Sequence, residues 1–123
     1  ISSFTIPLGA TINMDGTAIM QGCATFFLAS LYGIDLGMTE ILTIVVTATI
    51  ASIGTAGIPS AGIIMLTVIF TQIGIPLEGI SLLLGVDRLL DMMRTSVNVS
   101  GDLCISCIIA SSENKIDETT FKS

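Results

Sequence analysis

The 123-residue sequence contains no histidine. Imidazole is the commonest neutral ligand for transition metals, and three cysteines alone are a thin donor set, so a transition-metal centre is disfavoured. Basic side chains are scarce too. Arg88, Arg94, Lys115 and Lys122 stand against 10 acidic residues, for a net charge of −6. Neutralising phosphates requires a Lys/Arg surface, so nucleic acid is excluded as a partner. Charge of either sign is low, 11% of residues, where soluble domains carry roughly 25%. That is too little to coat a soluble domain of this size. What is present is apolar: 51% hydrophobic residues and a mean hydropathy of +0.93. Disorder and a disulfide-stapled secreted module are thereby excluded, and the implied solvent is lipid. The length allows at most one ordinary domain. The chain opens at Ile1 without a secretory-signal pattern, so we expect a piece of a longer protein that starts at the membrane boundary.

Residues 16–34 and 41–77 are free of charge. The first apolar segment, about 4–31, is long enough to span a bilayer, since about 20 residues cross the hydrocarbon core. It is interrupted by Asn13, Met14, Asp15, Gly16 and Thr17. Asn and Asp offer the backbone side-chain bonds that compete with helix, so a helix that unwinds there and resumes at about Thr17 is expected. The second apolar stretch, 40–73, cannot be one helix, because 52–62 holds three glycines and Pro59. Its halves, 41–53 and 63–72, are each too short to cross and read as a re-entrant helical hairpin. The third, 77–110, carries Asp87, Asp91, Arg94, Thr95, Asn98 and Asp102 within a stripe roughly 100° wide at helical spacing. It reads as a polar-striped transmembrane helix. Leu89, Met92, Met93, Val97 and Leu103 fall outside the stripe. Residues 113–123 read as a polar tail, and its two lysines place it in the cytoplasm. The expected fold is therefore an all-α membrane protein.

Carboxylates without histidine suit hard cations, which take oxygen ligands. Asn13, Asp15, Asn98 and Asp102 supply such oxygens, and broken backbone near Asn13 and Ser52 would add carbonyls. Broken helices near the midplane are how many secondary transporters build ion and substrate sites. Arg94 is a fork suited to a carboxylate, and Asp91 to an ammonium. One ammonium and two carboxylates describe aspartate or glutamate.

Three stretches carry a resemblance: PLGATINMDGTA at 7–18, SIGTAGIPSAG at 52–62 and DRLLDMMRTSVNVSGD at 87–102. In this order and spacing they resemble the dicarboxylate/amino acid:cation symporter family, and a bacterial-type glutamate/aspartate transporter homologue is the expectation. The likeness runs to about residue 112. It implies the C-terminal part of the transport core: the seventh transmembrane helix, the second re-entrant hairpin and the eighth transmembrane helix. It further implies that Thr17, Asp91, Arg94, Thr95 and Asn98 contact the amino acid, with Ile58 and Gly62 closing over it from the hairpin. One Na⁺ site would use the carbonyls of Gly9, Asn13 and Asn98 with the Asp102 carboxylate. A second would use those of Thr11, Ser52, Ile53 and Thr55, and a third would involve Asn13 and Asp15. The implied protein is a multi-pass plasma-membrane symporter and not an enzyme. It would be a homotrimer when complete with the rest of its chain. Na⁺ is the expected coupling ion, with H⁺ as the alternative.

The competing readings are an intramembrane aspartyl protease, with Asp15 and Asp102 sharing a proton, and a non-catalytic membrane subunit. Arg94 on the same stripe argues against the first, because it would hold a nearby carboxylate ionised. The broken backbone argues against the second. Asp87 and Arg88 read as interfacial and structural. Cys23, Cys104 and Cys107 read as small apolar packing residues.

Overall fold

The computed structural model describes residues 1–54 and 61–123. The expected hairpin tip, with Thr55 and Ile58, lies outside the described residues. Among those described there are helices and no strands. The helices are α1 (Ser2–Ile12), α2 (Asp15–Leu31), α3 (Met38–Gly54), α4 (Ala61–Ile73), α5 (Ile80–Leu84), α6 (Asp87–Ser112) and α7 (Glu118–Phe121), with a 3₁₀ turn at Leu77–Gly79 before α5.

The helix ends follow from local chemistry. The break after α1 is only two residues, Asn13 (φ −121°, ψ 65°) and Met14 (φ −108°, ψ 62°). Helix resumes at Asp15 rather than Thr17, because Asp15 in the first turn meets the positive end of the helix dipole. At the far end of α2, Gly33 takes φ +67°. There the Ile34 amide donates to the Ala29 carbonyl at 2.8 Å and the Gly33 amide to that of Ser30 at 3.2 Å. This pairing closes the last turn and needs a residue without a Cβ in the left-handed region. Gly74 ends α4 in the same way at φ +85°, and Pro76 follows it.

The segment expected as one helix over 77–110 is divided. Gly85 and Val86 separate α5 from α6, and Val86 leaves helical geometry at φ −119°, ψ 5°. Asp87 then opens α6 with a favourable dipole contact. The tail is not wholly irregular. Asp117 caps the four-residue α7, accepting from the amides and hydroxyls of Thr119 and Thr120. Those bonds hold its carboxyl below the usual carboxylate range.

α2 is the central helix and contacts α3, α4 and α6; α1 lies against α6 and α3. The two sides of α2 differ in kind. Toward α3 and α4 it buries Ala24, Leu28 and Ala29 against Ile44, Ala48, Leu66, Ile69 and Phe70. Toward α6 the buried groups are polar: Thr17 on α2, and Asp87, Arg94, Asp102 and Ser106 on α6. The outer faces carry exposed Phe4, Ile19, Leu42, Ile50, Met92 and Ile108.

Among the described residues, no helix is both long and apolar enough to cross a membrane. This departs from the two crossing segments expected from sequence, 4–31 and 77–110. The 26 residues of α6 would reach about 39 Å, but that helix carries Asp87, Arg88, Asp91, Arg94 and Asp102. The other helices named above have 17 residues or fewer.

Candidate functional site

The site is the seam of α6 against α1 and α2, and its contacts are rungs one helical turn apart. At one end Thr5 Oγ1 and Ser106 Oγ are 2.7 Å apart. Next, Gly9 faces Asp102 so closely that a Cβ on Gly9 would lie 2.6 Å from Asp102 Cγ. Asn13 Nδ2 donates to Asp102 Oδ1 at 3.0 Å. Beyond the break, the Gly16 amide donates to Asn98 Oδ1 at 2.8 Å, and Asn98 Nδ2 donates to Thr17 Oγ1 at 3.2 Å. Positions 98, 102 and 106 are i, i+4 and i+8 on one face of α6. They meet 5 and 9 on α1, 13 in the break, then 16 and 17 on α2.

This arrangement solves the problem set by the break. A helix start leaves amide donors without intrahelical partners. Asn98 supplies an acceptor to one of them from another helix, since α2 has no side-chain cap of its own. The approach depends on size. A Cβ on Gly16 would lie 2.6 Å from the Arg94 carbonyl oxygen, 3.0 Å from Val97 Cβ and 3.1 Å from Asn98 Oδ1. The obstructing group is backbone, so it cannot rotate away. Gly16→Ala should therefore push α2 off α6 and destabilise by roughly 1–3 kcal/mol, the usual cost of overpacking. A thermal melt of the purified full-length protein would read this as a lower midpoint, and an unchanged midpoint would refute the close approach.

Arg94 occupies the next turn of α6. Its guanidinium bonds Asp91 at 2.5 Å and lies 3.9 Å from Asp87, and the residue is only 5% exposed. Gly62 at the start of α4 abuts it: a Cβ there would lie 2.7 Å from Nη1. Among the described residues, Arg94 Nη1 has no hydrogen-bond partner. A buried guanidinium N–H without an acceptor is costly, and an anionic group would satisfy it.

Of the residues expected to bind the amino acid, the structure brings Arg94, Asp91 and Gly62 together, and separately pairs Thr17 with Asn98. Thr95 is exposed, contrary to its place in the expected stripe. Of the first expected cation set, Gly9, Asn13 and Asp102 line one cavity of about 90 Å³, with Thr5, Leu8, Ile12 and Ile105. Gly9 O already accepts the Asn13 amide at 2.9 Å, and a carbonyl keeps a second lone pair. Of the second set, Ser52 is buried while Thr11 and Ile53 are exposed. For the third, Asp15 is exposed, and its Oδ2 lies 3.7 Å from where a Gly101 Cβ would sit; Asn13 Nδ2 lies 3.3 Å from the same point. No cluster of three or more His, Cys, Asp or Glu exists among the described residues. Any cation site here rests chiefly on carbonyl, amide and hydroxyl oxygens.

A larger cavity of about 360 Å³ lies between α2 and α6, lined by Ile19, Met20, Phe27, Leu90, Met93 and Arg94 among others. Its wall is apolar apart from the arginine, so it suits hydrocarbon better than an amino acid, and of the expected binding residues only Arg94 reaches it.

Sequence reasoning missed four buried polar groups among the described residues, Asp87, Ser106, Gln21 and Thr25. Asp87 read as interfacial, yet it is buried beside Arg94. Ser106 joins the seam. Gln21 is fully buried, and its Nε2 donates to the Gly62 carbonyl at 3.4 Å. A signal for Gln21 was available: Thr17, Gln21 and Thr25 recur every fourth residue on an apolar helix, and all three are buried.

Residues 1–112 match the sodium:dicarboxylate symporter family. Over 102 residues, 83% of this chain, the sequence is 54% identical to excitatory amino acid transporter 2 of Mus musculus. Over the same length it is 50% identical to excitatory amino acid transporter 3 of that species and 46% identical to an excitatory amino acid transporter of Onchocerca volvulus. The matched region is 18%, 20% and 21% of these relatives, so the chain spans about a fifth of their length.

Proposed function

The chain belongs to the sodium:dicarboxylate symporter family, and we propose that it forms the C-terminal part of the transport core, residues 1–112, of a cation-coupled carrier of acidic amino acids. The observation that carries this reading is Arg94: a buried guanidinium with one N–H lacking an acceptor among the described residues, flanked by two carboxylates. A ligand with a side-chain carboxylate and an ammonium fits by exchange of partners. The carboxylate takes the guanidinium fork, and Asp91, released from Arg94, takes the ammonium. Thr17 and Asn98 complete the floor, and the hairpin formed by α3, α4 and the segment between them, with Ile58 and Gly62, acts as the gate. Thr95 would serve only where a further part of the protein covers it.

The coupling ion is Na⁺, held by Gly9, Asn13, Asn98 and Asp102. The further sets are Thr11, Ser52, Ile53 and Thr55, and Asn13 with Asp15. The donor chemistry supports this: neutral oxygens around a single carboxylate suit a monovalent hard cation. H⁺ is the alternative. In this reading the exposed apolar faces contact lipid and the rest of the chain, the complete protein is a homotrimer in the plasma membrane, and residues 113–123 are cytoplasmic. The bacterial type expected from sequence finds no support in the relatives reported above, which are animal proteins. Nor does a protease find support, since Asp102 is buried against Asn13 while Asp15 is exposed.

The test uses the full-length transporter in proteoliposomes, with labelled L-aspartate and an inward Na⁺ gradient at fixed pH. Uptake that needs the gradient and is competed by L-glutamate is expected. Uptake driven by a pH gradient alone would replace Na⁺ with H⁺, and no uptake under either gradient would overturn the substrate.

A further inference from the structure

The cavity lined by Gly9, Asn13 and Asp102 is also lined by Thr5. The Thr5 hydroxyl proton has two claimants, Ser106 Oγ at 2.7 Å and the Ile1 carbonyl at 3.1 Å. The Ser106 hydroxyl can donate at 2.8 Å to the carbonyl of Asp102 one turn earlier. Either hydroxyl can donate in the Thr5–Ser106 contact, and the arrangement with Thr5 donating keeps the two shorter bonds, 2.7 and 2.8 Å, while giving up the 3.1 Å bond to Ile1. In that arrangement the chain runs Thr5 O–H to Ser106 O–H to the Asp102 carbonyl. Its direction matters, because a hydroxyl that gives its proton away keeps its lone pairs for an acceptor role. The Thr5 oxygen thus keeps its lone pairs for a cation in the cavity that Thr5, on α1, and Asp102, on α6, line from the two sides of the seam. Ser106 is 8% exposed and cannot exchange this bond freely for water.

A cavity of about 90 Å³ is more than a bare Na⁺ needs and has room for retained water, which takes only about 10–15 Å³ of such volume. Hard cations fill their shell from any neutral oxygen within reach. We propose that Thr5 is a ligand of the coupling-cation site, direct or through one water, and that Ser106 is the positioning residue that orients its hydroxyl. The inference rests on the reading of Asp102 as a cation-holding carboxylate. It predicts that cation affinity is set partly at a turn of α1 away from the broken backbone.

The experiment measures Na⁺ dependence of L-aspartate uptake by the full-length transporter in proteoliposomes, with Li⁺ substitution as a second readout. Thr5→Val keeps the shape and removes the oxygen. It should raise the Na⁺ concentration for half-maximal uptake about three- to tenfold, the scale of one lost polar contact. Aspartate affinity at saturating Na⁺ should stay the same. Thr5→Ser keeps the oxygen and should restore the Na⁺ dependence. Ser106→Ala frees the Thr5 proton to turn elsewhere and should give a smaller rise together with a changed Li⁺ to Na⁺ ratio. A structural role alone would lower activity equally at all Na⁺ concentrations and leave that ratio fixed, which would overturn the proposal. Asp102→Asn separates two failures. If it shifts Na⁺ dependence and Thr5→Val does not, only the Thr5 assignment falls. If neither shifts it, the cation reading of this seam falls with it.

Discussion

Replacing Arg94 by alanine in the full-length protein should, on the function proposed above, weaken L-aspartate binding by roughly 2–5 kcal/mol, as when one partner of a buried charge pair is truncated. The guanidinium lies against Asp91 and 3.9 Å from Asp87, almost wholly out of water. Without it, an incoming side-chain carboxylate would face two aspartates and no cation, so the sign of the local field reverses. Small neutral amino acids bring no such carboxylate and should lose far less. Calorimetric titration with L-aspartate and with L-alanine reads both. Arg94→Lys should recover only part of the loss, because an ammonium restores charge but not the two-pronged geometry. Unchanged aspartate affinity in Arg94→Ala would remove this residue from the site.

Asp102→Asn should reduce apparent Na⁺ affinity by roughly 10- to 100-fold, the range of an interaction with a charged group. The substitution is a clean probe. An asparagine oxygen can still accept from Asn13 Nδ2, now at 3.0 Å from the carboxylate, so the seam keeps its rung while losing its charge. The preference for aspartate over glutamate should not move, since Arg94 sits two turns away along α6. A Na⁺ titration of substrate binding that overlays wild type would show that this carboxylate holds no coupling ion.

The polar organisation was largely legible in the sequence, and the reasons are physical. Asn13, Asp15 and Gly16 inside an apolar run announce a break, because each favours non-helical backbone or costs helix stability. The helical spacing of Asp87, Asp91, Arg94, Asn98 and Asp102 put them on one side of α6, and Asp87, Arg94 and Asp102 are buried there. Angle alone did not settle the edges of that stripe. Thr95 lies near one edge and is exposed, whereas Ser106 lies just past it and is buried against Thr5. What turns an edge position inward is the neighbour at its own level along the helix, and that is tertiary information. Gly85 gave too weak a signal to divide 77–110 in advance, because a lone glycine is often tolerated within a helix.

The two-residue interruption between α1 and α2 has a consequence for biosynthesis. Its polar groups are satisfied by α6, through contacts spanning 82 and 89 positions of sequence. During translation this stretch is made before α6 and waits for it. Until α6 arrives, the Gly16 amide and the Asn13 side chain must be hydrated or unpaired, so α1 and α2 cannot settle into their final arrangement on their own. The break is therefore satisfied only once α6 is present, a closure over a long stretch of sequence. A nascent chain halted before α6 would leave the Gly16 amide and the Asn13 side chain without these partners.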